Sequence, residues 1–338
     1  DKSNNLKEEY RQNTRMGFSS DSAGIPSDSL TSFLDKALEK VEAGINKAFD
    51  KTKGVYYSYF INEVSKYDLV KGHYVVPGKF TQRPAPLFLE GQMHGLRLSQ
   101  GAKQAANLYK AVKKSALFDK KLKMYKVTAS LSSMPEEIGR CRVFTPGWLE
   151  NESIWLHMEY KYILELLKTG LVEEFYAEFK NVLIPFQDPQ RYGRSILENS
   201  SFLVSSAFPD KKLHGNGFVA RLSGSTAEFL HIWLVMNTGV NPFILDKNGE
   251  LNLAFKPYLP GWLFAKNGKY SFSFLSRIPV TYHNPKRKDT FGKKAAKITK
   301  IILFENEQPR EINSAVIPSP EAEKVRSRQV SKIDIYLE

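Results

Sequence analysis

The sequence predicts a mainly α fold that ends in a β-rich cap. Two observations support this fold class. Apolar residues recur at helical spacing in five segments before residue 238, and after residue 250 they alternate or cluster as they do in strands. The composition, 42% hydrophobic and 25% charged in 338 residues, is typical of a globular protein with about two domains. We expect an irregular lead-in at 1–29, a helical domain at 30–248 and a β-rich cap at 249–338.

The helices are indicated by apolar faces and by residues that typically begin or end a helix. Ser29 or Ser32 is suited to cap the first helix, Gly170 ends the third helix and Pro185 ends the fourth. The third and fourth helices are separated by a short turn, and such helix pairs are what a toroid of helical hairpins would contain. The predicted helices cover residues 30–49, 101–117, 148–169, 172–183 and 225–237.

Two long connections and four strands complete the predicted elements. Residues 56–76 are rich in aromatic and β-branched side chains and favour a hairpin, and residues 125–146 form a second connection. Long connections often carry functional residues. The strands, separated by proline and asparagine turns, cover residues 270–274, 280–282, 298–304 and 333–337.

Charge, hydropathy and cysteine content limit the class of protein. The net charge of +13 suits an anionic ligand, but no nucleic-acid-binding motif is present, so we expect no nucleic-acid partner. No apolar run approaches the roughly 18 residues of a membrane span, so we expect no membrane association. The single cysteine, Cys141, favours a reducing, cytoplasmic location. The chain begins with Asp1 rather than Met, so we expect an upstream region.

The first candidate site is the segment Glu150-Asn-Glu-Ser-Ile-Trp-Leu-His157, at the start of a predicted helix. Carboxylate, amide and imidazole groups at this position face the free N–H groups of the helix, which favour an anion. A capped helix, in which Asn151 and the glutamates satisfy these N–H groups, explains the same residues.

The second candidate site precedes the last predicted helix and consists of Arg221, Ser223, Gly224, Ser225 and Thr226. Glycine and small hydroxyl residues allow backbone N–H and side-chain O–H groups to approach an oxyanion. No Gly-Lys-Ser/Thr follows, so the segment is not a P-loop. A flexible loop with a serine or threonine cap is the alternative.

Together the two segments resemble the C-terminal half of the cellobiose phosphorylase family, glycoside hydrolase family 94. A Glu-Asn-Gly-Gly-Ile-Phe-x-His-like stretch opens a helix of the family's (α/α)6 barrel and is similar to residues 150–157. A Ser/Thr-Gly-Ser/Thr-Ala stretch is similar to residues 223–227. The separation of 66 positions, from 157 to 223, is similar to the family's spacing. The resemblance extends over roughly residues 145–285 and includes Val280-Thr-Tyr-His-Asn-Pro in the cap.

The resemblance implies part of an (α/α)6 toroid and inverting phosphorolysis of a β-linked glucooligosaccharide to a sugar 1-phosphate. It implies that His157, Ser223 and Gly224 bind inorganic phosphate, with the rest of the second segment assisting. Phosphate is then the co-substrate, and no cofactor is expected. A protonated imidazole suits this role because charge-assisted hydrogen bonds are strong. In such enzymes phosphate takes the place of the second carboxylate of an inverting glycosidase.

The chain departs from the family pattern in two places. Glu152 and Ser153 replace the paired glycines, which makes the pocket floor bulkier and more acidic. The family's general acid, an Asp in a Trp-Asn-Asp stretch, has no counterpart in this sequence, so it lies upstream of Asp1 or the activity differs. Two alternatives remain, a glycoside hydrolase in which Glu150 or Glu152 activates water, and a noncatalytic carbohydrate-binding subunit. Since an incomplete toroid exposes apolar faces, we expect an N-terminal portion, a partner chain or a second copy to cover them.

Further side chains are candidates for sugar contacts. Arg194, Glu198 and Asn199 resemble the part of the family that faces the acceptor sugar, although Arg194 and Glu198 also have the spacing of a helical ion pair. Trp148 is suited either to stack on a sugar ring or to pack in the core. A Glu-x-x-x-His pair at residues 90–94 has metal-ligand spacing, but no further ligand is evident, and we expect no metal site.

Overall fold

The structure, a computed structural model, describes residues 2–18, 20, 22–220 and 223–338, without the side chains of Ala220 and Ser223. It contains two compact units, Asp1–Phe49 and Asp50–Glu338. The boundary predicted at 248/249 lies inside the second unit. Helices α1 (Lys2–Thr14) and α2 (Ser27–Ala48) lie in the first unit, which corrects the prediction of an irregular lead-in at residues 1–29.

Helices and short strands alternate through the rest of the chain. The further helices are α3 (Leu89–Arg97), α4 (Ala102–Lys114), α5 (Leu156–Lys168), α6 (Val172–Val182), α7 (Pro189–Tyr192), α8 (Ser223–Thr238) and α9 (Glu321–Arg326). The strands are β1 (Phe49–Asp50), β2 (Val55–Tyr56), β3 (Phe60–Val70), β4 (Tyr74–Pro84), β5 (Phe118–Asp119), β6 (Met124–Tyr125), β7 (Ile154–Trp155), β8 (Ser200–Leu203), β9 (Gly217–Ala220), β10 (Phe243–Leu245), β11 (Leu251–Ala254), β12 (Lys269–Phe274), β13 (Ile278–His283), β14 (Ile298–Glu305), β15 (Gln308–Ile312), β16 (Val316–Ile317) and β17 (Lys332–Leu337).

The prediction of a mainly α fold that forms part of a toroid is wrong. Helices account for 37% and strands for 25% of the structure, the described strands form several small sheets, and no toroid is indicated. The reason is that α3–α4 and α5–α6 follow each other as helix pairs, whereas strands or long irregular segments separate most of the other helices in the described residues. Four predicted helices nevertheless correspond to α2, α4, α6 and α8 within a few residues.

Helix α5 is the most buried helix of the larger unit among those described. Nine of its 13 residues are buried, because it packs against α3, α6 and α8. The sequence analysis predicts this helix from residue 148, but it begins at Leu156. Asn151 explains the difference, since its Oδ1 accepts from the N–H of Leu131 (3.1 Å) and its Nδ2 donates to the carbonyl of Phe144 (2.7 Å). The amide therefore fixes a turn before the helix and does not cap it.

The four predicted C-terminal strands are confirmed as β12, β13, β14 and β17. They form a five-stranded sheet with the order β12-β13-β17-β14-β15, in which β13 and β17 are parallel. Alternating apolar residues such as Val280 and Ile335 are fully buried. The hydroxyl of Tyr282 donates to the carbonyl of Asn237 (2.6 Å), near the end of α8. The sheet thus supports α8 from its C-terminal end.

In the described ranges, no helix is both long enough and apolar enough to cross a bilayer.

Candidate functional site

A three-stranded sheet brings the starts of α5 and α8 together. Strand β8 lies in the middle and is antiparallel to both β7 and β9, so β7 and β9 run in the same direction. Strand β7 leads directly into α5, and β9 ends two residues before α8. Because adjacent strands lie about 4.8 Å apart, β7 and β9 are roughly 10 Å apart, which matches the distance between packed helices. The two helix N-termini therefore lie side by side.

His157, the second residue of α5, lies against Gly224 near the start of α8. A Cβ atom at position 224 would lie 2.8 Å from Nδ1 of His157, so this approach requires glycine. Further along the helices, the rings of Tyr160 and Phe229 are 6.2 Å apart, which is consistent with parallel packing. The structure thus brings the two predicted segments together at His157 and Gly224.

The other members of the second segment have different surroundings. Thr226 is exposed, and Ser225 is fully buried. Arg221 and the side chain of Ser223 lie outside the described residues. On the α5 side, the N-cap residue Trp155 makes no side-chain hydrogen bond to the first N–H groups of the helix.

Glu228 lies between two histidines at this junction. Its Oε1 is 3.8 Å from Nε2 of His157, and its Oε2 is 3.6 Å from Nδ1 of His231. Burial lowers the pKa of both imidazoles, and Lys161 lowers that of His157 further, although the Glu228 carboxylate opposes both effects. The imidazoles are therefore mostly neutral at pH 7 in the free protein. Glu228 and His231 are not among the predicted site residues, although their spacing of three residues on α8 indicates a shared face.

A cavity of about 720 Å³ lies beside His157. Its walls come from β3, the segment before α3, the loop after β6, and the start of α5. Most of the described lining residues are apolar, and they include Ile61, Phe88, Leu131, Ile138, Trp155 and Met158. Apart from Trp155, which belongs to the first candidate segment, none of these six is a predicted site residue, because apolar residues far apart in the sequence carry no motif.

The two glutamates of the first segment differ in their surroundings. Glu150 lines the cavity, and its Oε1 lies 3.6 Å from Nη2 of Arg140. Its Oε2 is buried and has no hydrogen-bond partner among the described residues. Glu152 does not line the cavity, has a positive φ of 65°, and forms an ion pair of 2.7 Å with Nζ of Lys126. Of the two glutamates, Glu150 is therefore the one whose side chain lines the cavity.

The four predicted sugar-binding residues, Trp148, Arg194, Glu198 and Asn199, do not line the cavity. Trp148 packs on the phenylalanine rings of β8 and β9 at 5.1 Å and 4.6 Å. Arg194 donates through Nε to a carbonyl of β9 (2.8 Å) and lies 3.8 Å from Glu198. The Oδ1 of Asn199 accepts from the hydroxyl of Tyr160 (2.9 Å). The observed contacts of these four side chains are therefore with other residues of the protein, away from the cavity lining.

No protein-family model matches the sequence, and no curated protein matches it.

The pair of residues with metal-ligand spacing lies on α3. Oε1 of Glu90 and Nε2 of His94 are 4.0 Å apart, one helical turn from each other. In the part of the chain that the structure describes, no three His, Cys, Asp or Glu side chains are arranged to hold a metal ion.

Proposed function

We propose that the junction of α5 and α8 binds inorganic phosphate and that the protein cleaves a β-glycosidic bond by phosphorolysis with inversion. The observation that carries this proposal is the contact between His157 and Gly224, which joins an imidazole to two adjacent helix N-termini. The positive ends of the two helix dipoles favour an anion. This chain would supply the phosphate site and part of the sugar site, and the reaction needs phosphate as co-substrate but no cofactor.

The histidines explain how an anion can bind beside Glu228. When phosphate approaches, its negative charge raises the imidazole pKa values, and the imidazoles take up protons. Protonated His157 and His231 together with ionised Glu228 have a net charge of +1. Lys161 adds a further positive charge near His157. We therefore expect phosphate binding at neutral pH to be coupled to protonation of these two histidines.

In the proposed reaction, a phosphate oxygen attacks the anomeric carbon opposite the leaving group. The bond to the leaving oxygen breaks, and this oxygen takes a proton from a general acid. Glu150 is the candidate for this role in the first segment because its side chain lines the cavity beside His157. The acid regains its proton from the phosphate group of the product. In balance, a glycoside and hydrogen phosphate give a sugar 1-phosphate and an alcohol.

The same glutamate favours a second function, hydrolysis of the glycoside. Glu150 would then accept a proton from a water molecule that attacks the anomeric carbon. Glu152 is less suited to this role because Lys126 already pairs with its carboxylate (2.7 Å). The two functions differ in their requirement for phosphate, which makes them separable.

The test is to incubate the purified protein with β-glucosides in the presence and absence of phosphate and to identify the sugar product. We expect sugar 1-phosphate only when phosphate is present. His157→Gln should lower this rate about 100-fold, as loss of one donor to a reacting oxyanion does. His73→Gln is the matched control, since His73 is exposed in the turn between β3 and β4, and its rate should equal that of the wild type.

Three other outcomes would contradict the proposal. Release of free sugar without phosphate would favour hydrolysis. Binding of glycoside without turnover would favour a noncatalytic carbohydrate-binding subunit. An unchanged rate for His157→Gln would show that His157 does not take part in phosphate binding.

A further inference from the structure

The cavity beside His157 is mainly apolar. Of the sixteen described residues that line it, ten have apolar side chains, and they come from parts of the chain that are far apart in sequence. Among the polar ones, the hydroxyl of Thr128 already donates to the carbonyl of Glu150 (2.8 Å). The volume of about 720 Å³ is within the range of small-molecule sites, about 300–1,000 Å³. The cavity therefore suits an apolar group of substantial size.

An oligosaccharide matches this lining poorly. Each sugar hydroxyl that leaves water needs a donor or an acceptor, and a buried hydroxyl without a partner weakens binding. Glu150 and His157 supply polar groups for one sugar ring and its glycosidic oxygen. The apolar walls, such as Ile61, Phe88 and Leu131, offer no partner to the hydroxyls of further sugar units.

We propose that the cavity binds the apolar aglycone of an alkyl or aryl glycoside, so that such a glycoside, rather than an oligosaccharide, is the substrate. The inference rests on the proposed function for the sugar and phosphate part of the site. The glycosidic bond then lies beside His157, since this ring both lines the cavity and contacts the start of α8. Phosphate bonds to the anomeric carbon, and the aglycone leaves as an alcohol or phenol with the proton that hydrogen phosphate contributes.

The first test measures the affinity of methyl, butyl and hexyl β-glucoside by calorimetry without phosphate. Each methylene that leaves water for the apolar walls should raise the affinity about fourfold. Cellobiose should bind no tighter than methyl β-glucoside, because most of the lining residues are apolar and leave hydroxyls of its second sugar without polar partners.

The second test uses Cys141 as a reporter of occupancy. It is the single cysteine of the sequence, and it lines the cavity. We expect hexyl β-glucoside to slow alkylation of Cys141 by N-ethylmaleimide at least fivefold, and cellobiose at the same concentration to leave the rate unchanged.

A substitution in the cavity wall tests where the alkyl group of the glucoside binds. Ile138 lines the cavity and is 37% exposed, so Ile138→Glu should fold and should abolish the gain in affinity with chain length. Leu197→Glu is the matched control, because Leu197 is 91% exposed and does not line the cavity. Thermal melting of both variants verifies that they fold.

The outcomes separate this inference from the proposed function when sulfate binding is measured in parallel. Equal affinities along the alkyl series, or protection of Cys141 by cellobiose, overturn the inference even if sulfate binds at the α5–α8 junction. A chain-length effect that Ile138→Glu abolishes supports the inference. If sulfate then fails to bind, the proposed phosphorolysis is contradicted. The proposal that the cavity binds an apolar group still stands.

Discussion

Glu159 on α5 is a fully buried carboxyl group with incomplete hydrogen bonding. Its Oε1 accepts from the N–H of Tyr125 (2.7 Å), whereas its Oε2 has no hydrogen-bond partner among the described residues. Burial raises the pKa of Glu159 well above its ordinary value, and the carboxylates of Glu178 and Asp119 raise it further, against the effect of the Tyr125 N–H. The folded protein therefore favours the protonated form of Glu159.

Because the pKa of Glu159 is raised, we predict that the stability of Glu159→Gln relative to wild type depends on pH. Above the ordinary carboxyl pKa, the unfolded chain has lost a proton that the folded chain keeps, so wild-type stability falls as pH rises, by up to about 1.4 kcal/mol per pH unit. Glutamine does not titrate. The melting temperature of the variant relative to wild type should therefore increase from pH 5 to pH 8, as measured by scanning calorimetry.

The control for this experiment is Glu173→Gln. Glu173 is exposed in the first turn of α6, so its replacement should change the melting temperature by the same amount at both pH values. A pH-independent difference for Glu159→Gln would show that Glu159 is ionised in the folded protein.

At the level of elements, the site depends on the close packing of α5 and α8. Gly224 permits this packing, because a Cβ at that position would lie 2.8–3.0 Å from three atoms of the His157 ring. The φ of Gly224 is not positive, so the backbone itself tolerates alanine. A methyl group here should displace the ring while α8 remains a helix.

We therefore predict that Gly224→Ala lowers the affinity for sulfate at least tenfold at unchanged secondary structure. Sulfate is chosen because it does not titrate near neutral pH, and calorimetry measures its binding. Gly44→Ala on α2 is the matched control, since no atom lies within 4 Å of its added Cβ, and sulfate affinity should stay the same. Wild-type affinity in Gly224→Ala would place the anion elsewhere.

The fold of these elements could be predicted in part. Helix periodicity indicated α5 and α8, and the resemblance selected His157 and Gly224. Neither showed that residues 148–153 leave the helix, because Asn151 is held there by main-chain groups of the loop at 131–144. The sequence likewise could not decide between sugar stacking and core packing for Trp148, because its aromatic neighbours on β8 and β9 lie more than 50 residues away in sequence.

At the level of the whole molecule, α2 has a long apolar face without buried residues. Leu34, Leu38, Val41 and Ile45 follow each other at spacings of four, three and four, as in the contact positions of a coiled coil. The first three are more than half exposed, and no residue of α2 is buried. Helices in proteins gain most of their stability when an amphipathic face packs against another surface, so a partner for this face is expected.

We predict that two copies of the chain associate through α2. Sedimentation velocity should show an association that increases with protein concentration, and Leu34→Glu with Leu38→Glu should abolish it. Ser32→Glu with Asn46→Glu adds the same charge at exposed positions outside this face and should leave the association unchanged. A monodisperse wild-type monomer at all concentrations would contradict the prediction.

The amino-acid sequence by itself determined the local elements of this protein. The periods of apolar residues indicated α2, α4, α6, α8 and the four C-terminal strands, because such periods depend on neighbours a few residues away. The same reasoning failed for the fold class, since in the first 250 residues the described strands other than β3 and β4 have only two to four residues and are too short to show a pattern.

Only the tertiary structure decided how the candidate site is assembled. Strand β8 joins β7 to β9 by pairing Leu203 with Ile154, 49 positions earlier, and with Gly217, 14 positions later. The cavity likewise combines side chains from β3 to α5. Such contacts form between apolar surfaces that are far apart in the sequence and are buried together. The local spacing of apolar residues therefore does not predict them. The adjacent helix starts and the apolar cavity are for that reason properties of the folded chain.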